Sequence, residues 1–168
     1  SDADLPKDQL LIARDQSFTY DHAQMHVAGK VFTGNLKVGT LDQKGTVTLK
    51  GGEHNFSKLT VGAKESAFNL GEKAVVTVGG LHLYHGEGTA GKVVVNDSTL
   101  INTGALTFEP IADKYTAAGT LKLENGTFQT AATDFFKKKE AAAAEAAAQP
   151  EYEATGNQAF LAATVLST

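Results

Sequence analysis

Two histidine pairs and a scatter of carboxylates are the residues most able to do chemistry. His22 and His26 stand four apart, with Asp21 adjacent. On a helix that spacing turns both imidazoles to one face, as zinc coordination needs. The segment around them carries no helical period, and no HExxH glutamate lies between them. His82 and His85 flank a strand end in Leu81-His82-Leu83-Tyr84-His85. Residues three apart on a strand point to opposite faces. Both pairs therefore read as solvated or hydrogen-bonded histidines, and no metal site is expected.

A β-helical polysaccharide lyase or hydrolase would need carboxylates gathered on one face, with a basic residue to steady the transition state. Here the acids fall singly at Asp42, Glu53, Glu65, Glu72, Glu87, Asp97 and Glu109. The sole arginine, Arg14, lies outside the repetitive part, and there is no tryptophan to stack on a sugar ring. Gly86-Glu87-Gly88-Thr89-Ala90-Gly91 has the spacing of a dinucleotide loop, but the strand-like Lys92-Val93-Val94-Val95 follows it where a helix should. No Gly-x-Ser-x-Gly elbow is present. Neither a catalytic residue nor a cofactor is expected.

The elements that would hold any site are short. From about residue 31 to residue 130 a small residue precedes an apolar-polar-apolar triplet, and Gly or Asn often follows. Asn35-Leu36-Lys37-Val38-Gly39, Gly45-Thr46-Val47-Thr48-Leu49 and Lys58-Leu59-Thr60-Val61-Gly62 are clear cases. Alternation places both apolar side chains of a triplet on one face. A strand of three to five residues does not stand alone, so these units gain a core only by stacking, as solenoid coils do. The triplets recur irregularly, every 10 to 17 residues. A parallel β-helix tolerates such spacing, while an antiparallel sandwich would also give short strands with frequent turns. Asn125-Gly126 is a hairpin dipeptide and suggests a terminal hairpin cap.

At Asp134 the character changes. An Ala-rich run to Gln149, closed by Pro150, predicts a helix. The organisation expected is a β-solenoid over 1–133, an Ala-rich helix or arm over 134–149, and a return to the solenoid or a cap over 150–168.

The chain is 168 residues with 42% hydrophobic content, 20% charged residues and a formal net charge of -4. Its longest basic run is Lys137-Lys138-Lys139, which is no basic stripe, so nucleic-acid binding is not expected. With 17 glycines, 3 prolines and no cysteine, the chain has no disulfide or thiolate zinc site. A solenoid needs none, since each turn buries its neighbour. The final Val165-Leu166-Ser167-Thr168 reads as a pattern cut short, as in a segment of a longer protein.

The phrases Gly34-Asn35-Leu36-Lys37-Val38-Gly39, Phe56-Ser57-Lys58-Leu59-Thr60-Val61-Gly62 and Ala118-Gly119-Thr120-Leu121-Lys122-Leu123-Glu124-Asn125-Gly126-Thr127-Phe128 resemble the passenger regions of autotransporters, the type V secreted surface proteins of Gram-negative bacteria. The resemblance covers roughly the central hundred residues and implies a right-handed parallel β-helix, export to the cell surface, and roles in adhesion, aggregation or virulence. The Ala-rich run departs from that pattern. The expectation is an all-β, right-handed parallel β-helix with a short Ala-rich helix, acting without catalysis as a stalk or adhesin at the outer-membrane surface or outside the cell. Its partner would be a surface protein, a glycan or another copy, and any membrane attachment would come through a translocator outside this chain. His82, Tyr84, His85, Lys137, Lys138 and Lys139 are the candidate partner-binding positions. The alternatives are a β-helical carbohydrate-active enzyme and a compact β-sandwich binding module.

Overall fold

The computed structural model describes residues 8–84, 90–109, 119–131, 136–138, 150–155 and 159–161. The strands begin with β1 (Gln9–Ile12), β2 (Gln16–Asp21), β3 (His26–Val27), β4 (Lys30–Val31), β5 (Asn35–Val38) and β6 (Gly45–Lys50). They continue with β7 (Glu53–Phe56), β8 (Lys58–Val61), β9 (Ala67–Gly71), β10 (Val75–Tyr84), β11 (Lys92–Asn96) and β12 (Thr99–Glu109). The last are β13 (Thr120–Glu124), β14 (Thr127–Gln129), β15 (Lys137–Lys138), β16 (Glu151–Thr155) and β17 (Ala159–Leu161).

Every pairing among them is parallel except the β3–β4 hairpin. One sheet runs β1-β5-β8-β10-β12-β14-β17 with β7 on β10, and a second runs β15-β16-β13-β11-β9-β6-β2. Strands adjacent in a sheet are thus one turn apart in sequence. That is a parallel β-helix of about four turns, and it rules out an antiparallel sandwich.

The first sheet is bent into two faces. In β10 the buried apolar side chains are Val76 and Val78, then Leu81 and Leu83. The phase of the alternation slips at Gly79, where the register also shifts. An extra residue in a strand bends it and re-aims its side chains. Each complete turn therefore presents three short segments inward. One face stacks Leu10, Leu36, Leu59, Leu81 and Leu106 in register. The second sheet stacks Phe18, Val47, Phe68, Val93 and Leu121. The remaining face stacks His54, Val76, Leu100 and Phe128. These columns meet in one core, where Leu36, Val47, Leu59, Phe68, Val76, Leu81, Val93, Leu100, Leu121 and Phe128 have no exposed surface.

The true repeat is longer than the triplet spacing. In-register partners lie 21 residues apart at Val47 and Phe68 and 32 apart at Phe128 and Phe160. Consecutive triplets belong to different faces of one turn. The Asn125-Gly126 hairpin is also corrected: these residues turn the corner from β13 to β14, which lie in different sheets, and Asn125 takes φ 52°. The segment expected to open a helix is extended where it is described. Phe136 is a bend, and Lys137 and Lys138 form β15 against β16. The Ala-rich run 139–149 lies outside the described residues. Phe136 is buried and meets Phe128 edge-on, with ring centroids 5.8 Å apart.

Polar residues also enter the interior, among them His54, Asn102 and Thr130. Asn102 continues the column of Phe56 and Val78 and is fully buried. Its Nδ2 donates to the Gly104 carbonyl (2.9 Å) and to Thr130 Oγ1 (3.2 Å), and its Oδ1 accepts from Gly104 N–H (3.4 Å). A buried amide so satisfied fixes the corner at Gly104 and ties this turn to the next. Asn102→Ala is expected to cost about 2 kcal/mol, because the buried Thr130 hydroxyl and the half-buried Gly104 backbone lose their partner. Urea unfolding followed by circular dichroism measures it.

Candidate functional site

The outward positions of the leucine face carry the candidate residues. In register they read Leu11, Lys37, Thr60, His82 and Thr107 across successive turns. Period-2 alternation sets them there, since their neighbours Leu36, Leu59, Leu81 and Leu106 point into the core. His82 and Tyr84 both face outward on β10, because they are two apart. Their rings meet edge-to-face, with centroids 4.9 Å apart and planes at 89°. On the other side, His82 Nδ1 lies 2.6 Å from Thr107 Oγ1 of the next turn. Thr60, on the preceding turn, is only 4% exposed although it points outward.

The arrangement is a shallow, nearly flat surface held by strands. It offers an imidazole and a phenol in a fixed relative pose, a threonine hydroxyl, and the Lys37 ammonium two rungs along. Such a surface can hydrogen-bond through ring tips and pack apolar faces against a partner. Of the candidates read from sequence, His82 and Tyr84 come together here as part of a sheet face and not as a protruding loop. Lys137 and Lys138 lie in β15, in the other sheet. His85 and Lys139 fall outside the described residues.

Two open clefts flank the stack. One lies under the β3–β4 hairpin and is lined by Val27, Lys30, Val31, Phe32 and Ser57 among others. Val27 and Val31 are exposed there. The other lies at a corner and gathers Arg14, Asp15, Asp42, Lys44, Lys64 and Glu65. The sequence left Arg14 apart from the acids of the repeats, whereas the first turn brings it to the same corner as Asp42 and Glu65. All of these are solvent-exposed, and Arg14, Asp15, Lys64 and Glu65 sit at positive φ. Opposite charges on exposed corner loops neutralise one another in water. A catalytic carboxylate pair needs partial desolvation to separate its two acidities, and this corner does not supply it.

No family model, curated protein or solved structure matches the chain. The geometry of the faces is then the ground for a functional reading.

The structure does not bring His22 and His26 together as a pair. His26 turns back on its own loop, with Nδ1 2.9 Å from the Gln24 carbonyl. His22 instead points along the corner toward Glu72, fifty residues on, with 3.6 Å between Nε2 and Oε2. Only the turn length of the solenoid could have disclosed that proximity.

Proposed function

We propose that this chain is a non-catalytic stretch of a surface-exposed, autotransporter-like passenger, serving as a stiff stalk whose flat leucine-backed face contacts a partner. The supporting observation is the in-register column from Leu10 to Leu106. Each rung adds about 4.8 Å along the axis and is hydrogen-bonded to its neighbours, so the element extends distance at constant cross-section. The same columns hold the outward row through His82 at fixed spacing. A repeated, rigid and mostly uncharged face suits a protein or glycan surface, or another copy of the chain. The proposed place of action is the outer-membrane surface or the extracellular space.

Beads coated with the chain test the reading against matrix proteins, a glycan panel and uncoated beads. Capture of a partner, or bead clumping, is expected. The double variant His82→Ala, Tyr84→Ala is expected to weaken capture about 30-fold, as for loss of an aromatic hot spot of about 2 kcal/mol, with its thermal melt unchanged. Absence of any capture by the parent chain, or turnover of a polysaccharide by it, defeats the proposal.

A further inference from the structure

The corner that follows the second sheet stacks one residue per turn in the left-handed region. His22 has φ 53°, Gly51 φ 68° and Glu72 φ 53°. The backbone binds them in order: His22 N–H donates to Lys50 O (2.6 Å), and Gly51 N–H to Gly71 O (2.9 Å). The middle position is glycine, and that matters. A Cβ on Gly51 would lie 2.2 Å from His22 Nδ1 and 2.4 Å from Cε1. The imidazole lies flat over the gap the missing side chain leaves. It thereby spans one whole rung, and its far nitrogen reaches the turn beyond.

At that far end Nε2 is 3.7 Å from Asp21 Oδ1 and 3.6 Å from Glu72 Oε2. One ligand atom from each of the three residues lies within 4.8 Å of the others. Zinc bonds of about 2.0–2.2 Å to nitrogen and oxygen place neighbouring tetrahedral ligands about 3.4 Å apart. The two gaps to His22 close to that value with a contraction of a few tenths of an ångström, and the two carboxylate oxygens, within 4.8 Å of each other, come together by rotation of exposed, adjustable side chains.

We infer that Asp21, His22 and Glu72 form a binding site for a divalent transition-metal ion that staples the first turn of the solenoid to the third. One imidazole with two carboxylates favours zinc, nickel or copper over calcium or magnesium, which prefer an all-oxygen shell. Three protein ligands leave a position open to water or to a ligand atom from a partner. The competing occupant is a cation of the chain itself: Lys50 lies in register beside Asp21, and a protonated His22 could pair with both acids. A metal differs from these in saturating at one ion per chain and in perturbing all three side chains together.

The test uses the full chain without a purification tag, stripped with chelator, and titrated calorimetrically with zinc sulfate and separately with magnesium chloride. Saturable zinc binding at one ion per chain is expected, with no magnesium response. His22→Asn keeps a residue that tolerates positive φ and removes the imidazole. It and Glu72→Gln are each expected to weaken zinc binding about tenfold or more, while His26→Asn leaves it unchanged. In nuclear magnetic resonance spectra, zinc should shift the His22 ring protons and not those of His26. No saturable binding by the parent chain, or binding that survives both His22→Asn and Glu72→Gln, overturns the inference. The bead assay stands apart from this result, since His82 and Tyr84 lie on a different face.

Discussion

Replacing Leu59 with alanine is expected to lower the stability of the chain by about 3–5 kcal/mol, the upper range for a buried leucine. Leu59 is fully buried. It has Leu36 on one side and Leu81 on the other, each in direct register. A solenoid is held by the sum of its nearest-neighbour interfaces, so one side chain at the middle of a column serves two of them. The cavity cannot collapse readily, because the backbone rungs above and below are fixed by their hydrogen-bonded ladders. Leu10, at the end of the same column, is only partly buried and has one described neighbour, Leu36. Leu10→Ala is expected to cost about 1 kcal/mol on the same reasoning, for partial burial and a single interface. Chemical denaturation of both variants, compared at equal denaturant slope, decides the matter. Equal losses at the two positions would mean that the rungs are not mechanically coupled.

The unequal weight of these two leucines shows what was legible in the sequence. Each triplet announces itself by its own alternation, so Leu36-Lys37-Val38, Val47-Thr48-Leu49 and Leu59-Thr60-Val61 were readable as inward-outward-inward segments. Their inability to stand alone pointed to stacking. The pairing partner was not readable. A turn carries three segments separated by corners of differing length, so the nearest triplets in sequence lie on different faces. The interval between true neighbours varies from turn to turn with the loops. Nor does a dipeptide such as Asn125-Gly126 disclose whether its left-handed residues close a hairpin or turn a coil corner, because both need the same φ.

The outward face was less legible: the segment from His82 on read as a protrusion, and the structure places His82 and Tyr84 on a sheet face. Parity puts His82 and Tyr84 on one face once the strand is known to run through Tyr84. That Thr107 would supply the hydroxyl beside His82 depends on a register set 25 residues away. The link from His22 to Glu72 required both the turn length and a glycine between them.

Corners also carry the second large effect. Gly104→Val is expected to destabilise the chain by about 3 kcal/mol or more, at the severe end of overpacking. In β12, Thr103 and Gly104 together face the single Gly79 of β10, where the register shifts. A Cβ on Gly104 would sit 1.8 Å from the Gly79 carbonyl oxygen and 2.7 Å from its carbon. These are backbone atoms and cannot rotate away as a side-chain tip could. The neighbouring turn cannot retreat either: Thr103 Oγ1 donates to Val78 O across the same seam, and a Cβ on Gly79 would itself lie 2.6 Å from Ser57 O one turn earlier. The strain would therefore open the seam between the two turns, along with the hydrogen bonds of Asn102 at its edge. Gly71→Ala is the matched control, since nothing lies within 4 Å of the place its added methyl would take and its φ is not in the left-handed range. That variant is expected to be neutral or slightly stabilising, through a less flexible unfolded chain. Amide hydrogen exchange localises the damage. Faster exchange in Gly104→Val confined to β10 and β12 supports a seam that opens between turns, and uniform acceleration across both sheets would show that the stack yields only as a whole.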